Sequence, residues 1–222
     1  AAAIADFSTL IALRPNEDAP IFFRANAKLQ GGDASGAIED FNAFLRNHDS
    51  DGEALMGRAL ARQTTGDYPG AEADLSTILA GVPNAAQPLA TRGYVRVMMG
   101  RHELAAGDLA LAAALPDAPP EVALWRYVAE ARAGMNAATA LAAYAQNDAG
   151  TAWPGPVMHY FLGTTAGDAV LAAAAREPLE APGRLCEAYF YLGEAALILK
   201  ETSEATKLFK AALDTGMKRY TE

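Results

Sequence analysis

The chain has 222 residues, of which 51% are hydrophobic and 20% are charged, and its net charge at pH 7 is -9. This acidic balance argues against a nucleic-acid-binding protein, because such proteins gather Lys and Arg to contact phosphates. No apolar run approaches the roughly 18 residues of a membrane-spanning helix, and a single cysteine excludes an internal disulfide.

Helices are predicted along the whole chain, because alanine is abundant, favours helices, and is accompanied by few β-branched residues. The predicted helices cover residues 1–13, 18–31, 34–46, 52–65, 68–81, 86–99, 102–114, 119–133, 136–147, 154–163, 166–176, 182–199 and 202–215. Gly32, Gly66 and Gly100 stand where one helix ends and a turn begins. The predicted fold class is therefore all-α, with about 13 helices.

A period of 34 residues organises the first half of the chain. The residues that keep this period are the alanines Ala3, Ala37, Ala71 and Ala105, the aspartates Asp6, Asp40, Asp74 and Asp108, and the large apolar residues Phe7, Phe41, Leu75 and Leu109. Ala25, Ala59 and Gly93 keep it as well, on the preceding helix. Unrelated helices of a bundle have no reason to share one period, so the spacing predicts helical hairpins stacked as a solenoid.

The pattern resembles the tetratricopeptide repeat (TPR), as in "RGYVRVMMGRHELAAGDLALAAAL" at 92–115. This resemblance implies an α-α superhelix built from helical hairpins. Since residues 1–13 match the second helix of a unit, we expect the chain to begin inside a repeat, in a parent protein that was longer or trimmed. We expect a single solenoid over 1–222, with regular repeats over 1–118, degenerate helical pairs over 119–180 and a C-terminal unit over 181–222.

The C-terminal half carries a narrower resemblance. The segments "WPGPVMHYFLG" and "LCEAYFYLGEAALILKETSEATKLFKAALDTG" are similar to the NlpI family of periplasmic TPR lipoproteins. The resemblance implies a periplasmic or cell-envelope adaptor that binds a protease and cell-wall hydrolases, often as a homodimer. The chain departs from this family in having no lipid-attachment cysteine and an incomplete first repeat. Ala205 lies 100 residues after Ala105, so the array slips by two residues. The alternatives are a general TPR scaffold with another partner, located in the cytoplasm, and a regulatory or recognition module of a larger enzyme.

Two series of charged residues also keep the period. They are Asp6, Asp40, Asp74 and Asp108, and Arg24, Arg58, Arg92 and Arg126. Pairing each aspartate with the arginine 18 residues later uses all eight, whereas pairing within a repeat leaves Asp6 and Arg126 alone, since residue 142 is alanine. We therefore predict a structural ladder between repeats, from Asp6–Arg24 to Asp108–Arg126, in which the planar guanidinium meets a carboxylate with two bonds. The alternative is a stripe of arginines for an acidic ligand.

The first helix of each hairpin should line the concave face of the solenoid and carry the partner-binding site. The candidate residues are Phe22, Asn26, Leu29, Met56, Leu60, Gln63, Tyr94, Val97 and Met98. This mostly apolar surface suits an extended peptide or an amphipathic helix, and its methionines can adapt to irregular partners. The alternative for each residue is packing against a neighbouring helix.

The sequence contains no pattern typical of an enzyme. His48, His102 and His159 lie far apart and outside any metal-binding spacing, and Cys186 is predicted to be a buried structural thiol. We therefore predict a non-catalytic adaptor or scaffold with no cofactor, no metal and no catalytic residue, whose partner is a protein or peptide.

Overall fold

The computed structural model describes residues 2–119, 121–147 and 152–217, and all the regular elements in these ranges are α-helices. They are α1 (Ala2–Leu13), α2 (Ala19–Gln30), α3 (Ala34–Leu45), α4 (Gly52–Thr64), α5 (Tyr68–Gly81), α6 (Ala86–Met98), α7 (His102–Ala113), α8 (Val122–Arg132), α9 (Ala137–Asn147), α10 (Gly155–Phe161), α11 (Gly167–Ala174), α12 (Ala181–Ile198) and α13 (Thr202–Asp214). The all-α prediction is confirmed, and the predicted helix ends agree with the observed ones to within three residues. None of the described helices is long and apolar enough to cross a membrane.

The chain divides into two compact units. The first comprises α1 to α6 with the segment Ala114–Ala118, and the second comprises α7 to α13. Each unit is built from consecutive antiparallel helices that pack on their neighbours in the chain.

Glycine and aspartate set the turns inside the hairpins. Gly32 and Gly66 have positive φ angles of 83° and 79°, a backbone conformation that residues with a Cβ rarely adopt. The next residue in each case, Asp33 or Asp67, then caps the following helix by accepting the backbone N–H three residues ahead, at 2.9 and 3.0 Å. The period therefore repeats the turn chemistry as well as the apolar core.

Small residues allow the helices of the first unit to approach closely. Ala25, Ala37 and Ala71 are fully buried, and so are the large side chains of Phe41 and Leu75 that fill the space beside them. Leucines at the helix ends, including Leu45, Leu55, Leu79 and Leu89, complete this core. The alternation of alanine and large apolar residues gives each hairpin an interdigitated interior.

The second unit keeps the same plan with a shifted register. Ala137 and Leu141 are the buried residues of α9, and they follow the buried pair Ala105 and Leu109 by 32 residues instead of 34. The spacing from Leu141 to Phe209 of α13 is then 68 residues, which is twice the period. The slip of two residues is therefore introduced between α7 and α9.

An aromatic cluster forms the interior of the second unit. The rings of Tyr127 and Phe161 stack at 4.5 Å, and Trp125 lies 5.3 Å from Phe190. In the last hairpin, a Cβ added at Gly193 would come within 2.7 Å of the Phe209 ring. The motif that defines the C-terminal hairpin in the sequence thus marks a close contact between α12 and α13.

Candidate functional site

The predicted partner-binding residues lie on the first helices α2, α4 and α6 of the first unit. Asn26, Leu60 and Tyr94 occupy the same repeat position on these three helices, and α2 contacts α4 directly. Leu60 is exposed, and Asn26 and Tyr94 are half-buried. Asn26 donates its side-chain amide to the carbonyl of Phe22 at 3.1 Å.

Four of the nine predicted residues are core residues or pack against the core. Val97 is 2% exposed, so its assignment to the surface is wrong. Phe22 and Leu29 pack against the core of α2, α3 and α4, where the Phe22 ring lies 5.2 Å from that of Phe44. Met56 packs against the core around Leu75. The error at Val97 is one of helical phase, because the adjacent Met98 is exposed.

The other five predicted residues, Asn26, Leu60, Gln63, Tyr94 and Met98, are exposed or half-buried. The exposed residues of the same helices that sequence reasoning missed include Gln30, Glu53, Thr64 and Gln87. The 34-residue period could have found them, since Gln30, Thr64 and Met98 share one repeat position and Glu53 and Gln87 share another. We call these nine residues the first-helix face.

The arginines and aspartates pair within a repeat, which corrects the predicted ladder. Arg24 donates Nε and Nη2 to the two carboxylate oxygens of Asp40 at 2.8 and 2.7 Å, and Arg58 binds Asp74 in the same way at 3.0 and 2.7 Å. A second cation completes each group, because Lys28 lies 2.8 Å from Asp40 and Arg62 lies 2.7 Å from Asp74. The predicted pair Asp40–Arg58 is therefore wrong.

The arginines still connect consecutive repeats, but through neutral side chains. Nη1 of Arg24 donates to Ser8 at 3.2 Å, and Nη1 of Arg58 donates to Asn42 at 2.7 Å. Arg92 reaches Ser76 in the same way at 3.2 Å. Each acceptor stands two residues after the aspartate to which the ladder assigned that arginine, so the predicted and observed contacts differ by about half a helical turn.

The ends of the two charged series behave differently. At the ends of the aspartate series, Asp6 is exposed and Asp108 is buried. At the end of the arginine series, Arg126 does not bind Asp108 as the ladder predicts, but Glu130 within α8, at 2.6 Å. Glu130 occupies the repeat position of Lys28 and Arg62. A carboxylate on α8 thus replaces the aspartate that the following helix lacks.

Burial and ion pairing together shift the pKa values of two carboxyl groups, those of Asp40 and Glu194. Burial would raise the pKa of Asp40, but hydrogen bonds from Arg24 and Lys28 outweigh it and hold that pKa below its ordinary value. In the second unit, burial raises the pKa of Glu194, although Arg132 lies 3.1 Å away. These carboxylates are held by cations inside the fold, and none of their contacts indicates acid–base chemistry on a substrate.

The histidines and the cysteine are separated from one another. His48 lies 3.2 Å from Asp18 and stacks on Phe44, His159 contacts Thr164, and burial together with the charge of Arg132 lowers the pKa of His102. Cys186 is buried, and this burial raises the pKa of its thiol. Within residues 2–119, 121–147 and 152–217, no group of His, Cys, Asp and Glu could hold a metal ion.

Two of the clefts that the described residues form lie in the second unit. One of 420 Å³ lies between α10, α11 and α12 and is lined by charges of both signs, including the ion pair Arg184–Glu180. The other, of 240 Å³, lies between α8 and α9 and is lined by alanines, Leu141, two tyrosines and Arg126. We call the latter the α8–α9 cleft.

Comparison with solved structures identifies the fold. The chain aligns with a tetratricopeptide repeat protein from Parabacteroides merdae over 96% of its length and 85% of that protein, with a TM-score of 0.68 and 17% identity. It aligns with YrrB, a TPR protein with an unusual peptide-binding site, over 94% of this chain and 91% of YrrB, with a TM-score of 0.58 and 16% identity. No protein-family model and no curated protein matches the chain. The fold is therefore the TPR-type arrangement of helical hairpins.

Proposed function

We propose that the protein is a non-catalytic interaction adaptor that binds a peptide or an extended segment of a partner protein on the first-helix face. The observation that carries this proposal is the row of Asn26, Leu60 and Tyr94, which share one repeat position on consecutive first helices. A row with the spacing of the repeat suits an extended ligand that runs across several helices.

The chemistry of the first-helix face supports a neutral peptide. Leu60 and Met98 are exposed by 38% and 41% and offer apolar contact area. Asn26 and Gln63 beside them can bind the main-chain amides of a ligand. Glu53 is the only charged residue of this face, so affinity would come from apolar contacts and hydrogen bonds rather than from ion pairs.

YrrB, whose fold this chain shares, has a peptide-binding site, and we propose the same class of ligand here. Cys186 is buried, which supports its predicted role as a structural thiol. A general scaffold, or a recognition module of a larger enzyme, would use the same face with a different partner.

The role of an envelope adaptor for a protease or cell-wall hydrolases, in a periplasmic homodimer, is the finer form of this proposal. It is supported by the resemblance of roughly residues 150–222 to the NlpI family. Co-purification with an envelope protease after expression in a Gram-negative periplasm, together with sedimentation analysis of the subunit number, tests this finer form.

The general proposal is tested by selecting ligands from a random peptide library displayed on phage and measuring the best synthetic peptide by fluorescence polarisation. Leu60→Asp places a charge in the row and should weaken binding by about tenfold or more. Leu104→Asp is the matched control, because Leu104 is an exposed leucine on the second-helix side, in α7. Equal losses in both variants, or a library that yields no binding peptide, would overturn the proposal.

A further inference from the structure

The α8–α9 cleft lies where the second unit lacks three side chains that the regular repeats possess. Repeat positions 45 and 79 are buried leucines, and the next member of that series is Ala113. Positions 55 and 89 are buried leucines as well, and the next member is Ala123. Both alanines line the cleft, so the cleft occupies space that leucine side chains fill elsewhere.

The third missing side chain is the aspartate that binds the repeat arginine. In the shifted register of α9, Ala140 lies one residue before the buried Leu141, as Asp74 lies one residue before Leu75. Ala140 lines the cleft beside Arg126. The residue 16 positions before Arg126 is Ala110, which cannot accept a hydrogen bond in the way that Ser8 and Asn42 do.

Arg126 consequently has unused hydrogen-bonding capacity. Its Nε donates to Glu130 at 2.6 Å, and among the residues that the structure describes, Nη1 and Nη2 have no hydrogen-bond partner. The corresponding atoms of Arg58 are bound to Asn42 and Asp74. The Arg126 side chain is 29% exposed and lines the cleft, so Nη1 and Nη2 can reach a ligand there.

The volume of the cleft indicates the size of its occupant. At 240 Å³, it is smaller than the roughly 300–1,000 Å³ that is usual for cofactor and drug-sized sites. It is suited to one or two side chains of a partner. Its apolar walls, formed by five alanines and Leu141, favour an aliphatic side chain.

We propose that the α8–α9 cleft is a docking site for a peptide segment that inserts a leucine-type side chain between the alanines and presents its main-chain carbonyl to Nη1 and Nη2 of Arg126. A neutral carbonyl is favoured over a carboxylate, because Glu130 already neutralises Arg126 and would repel a second negative charge. The site belongs to the second unit, and it stands or fails independently of the first-helix face.

The test follows the alanine methyl groups by NMR while capped single residues are added to the whole chain. N-acetyl-leucine N-methylamide should shift the methyl signals of Ala123, Ala137 and Ala140 and saturate in the millimolar range. N-acetyl-glycine N-methylamide should bind with an affinity at least about tenfold lower, because it lacks the aliphatic group. The corresponding aspartate derivative should also bind more weakly than the leucine derivative.

Two variants sharpen the result. Ala123→Leu restores the residue found at positions 55 and 89 and should abolish the shifts by filling the cleft, while Arg126→Gln should weaken leucine binding with the cleft still open. Equal binding of the leucine and glycine compounds, tighter binding of the aspartate compound, or unchanged binding to Ala123→Leu would each overturn the proposal. If a variant does not fold, the comparison of the three compounds on the wild-type chain decides alone.

Discussion

The hairpins α4/α5 and α8/α9 start from the same repeat plan and differ in how their two helices are connected. In the regular hairpin, Asp74 of α5 binds two arginines of α4, and buried leucines close the helix ends. In the degenerate hairpin, Arg126 binds Glu130 within α8. The residue of α9 that corresponds to Asp74 is Ala140, which cannot bind an arginine of α8 through its side chain. Glu130, which stands where the regular repeats have a second cation, gives Arg126 a partner in the absence of the aspartate on the second helix, but this arrangement leaves the hairpin with a cleft.

The difference shows that two features of the repeat, the apolar contact between its helices and the ion pairs with the end leucines, can be separated. Leu141 keeps the apolar contact at 1% exposure although the aspartate and two leucines are alanine. The small-residue packing and the single large side chain are therefore sufficient for a hairpin, and the ion pairs and end leucines are additional stabilisation. The following predictions test this separation.

Truncating the large core residue should have the largest effect, and it should be larger in the regular hairpin. Leu75→Ala should lower the free energy of unfolding by about 3–5 kcal/mol, because the surrounding side chains are close-packed and cannot collapse into the hole. Leu141→Ala, at the corresponding position, should cost about 2–3 kcal/mol, since Leu141 already borders an open cleft. Urea unfolding of both variants measures the difference, and a greater loss for Leu141→Ala would contradict the comparison.

Removing the carboxylate that binds the repeat arginine should have the second-largest effect, and the loss of stability should again differ between the two hairpins. Asp74→Ala leaves Arg58 and Arg62 without their shared partner and should cost about 2–3 kcal/mol. Glu130→Ala should cost only about 0–1 kcal/mol, because it breaks one bond to Arg126 and also removes Oε2, a buried oxygen that has no partner among the described residues. Thermal and urea unfolding test both values, and equal losses would show that Glu130 replaces Asp74 fully.

The course of the helices could be predicted from the sequence because its signals are local. Gly32 and Gly66 impose a turn, and Ala37 with Phe41 defines one face of a helix, so the helix ends and the core followed directly. The partners of the arginines could not be predicted by counting. Spacings of 16 and 18 residues both bring Asp and Arg onto facing helices, and the choice depended on Glu130, which the series of aspartates does not contain.

The candidate site was predicted at the level of helices and less well at the level of residues. Leu60 and Met98 are exposed as expected, whereas Val97 is buried, because one residue rotates a position by about 100° around a helix. The α8–α9 cleft escaped sequence reasoning because alanine in place of leucine, as at positions 113 and 123, does not tell from the sequence whether neighbouring side chains fill the space. The slip of two residues was visible in the spacing of Ala105 and Ala205, but only the buried Ala137 and Leu141 place it between α7 and α9.

Asp40 should make the stability of the first unit depend on acidity. Its folded-state pKa lies below the ordinary value of 3.8, because the bonds from Arg24 and Lys28 outweigh the opposing effect of burial. The stabilising contribution is therefore fully present above the unfolded pKa and is lost as the pH falls through the folded pKa. Asp40→Asn should destabilise the protein at about pH 6, and the difference from wild type should shrink as the solution is acidified below the unfolded pKa. Asp6→Asn, at the corresponding exposed position, should show no such difference.

The smallest expected effect concerns the backbone of the turns. Gly66 has a φ of 79° with open space around it, so Gly66→Ala meets no steric contact and should cost only the strain of the left-handed conformation, about 1 kcal/mol. Gly107 also has open space around its Cβ position, but it lies inside α7, where Gly107→Ala should stabilise the protein by about 0.5–1 kcal/mol. Because both substitutions add the same methyl group without a clash, opposite signs in urea unfolding would assign the difference to backbone conformation. Equal signs would mean that the turn does not require glycine, and that its recurrence every 34 residues has another cause.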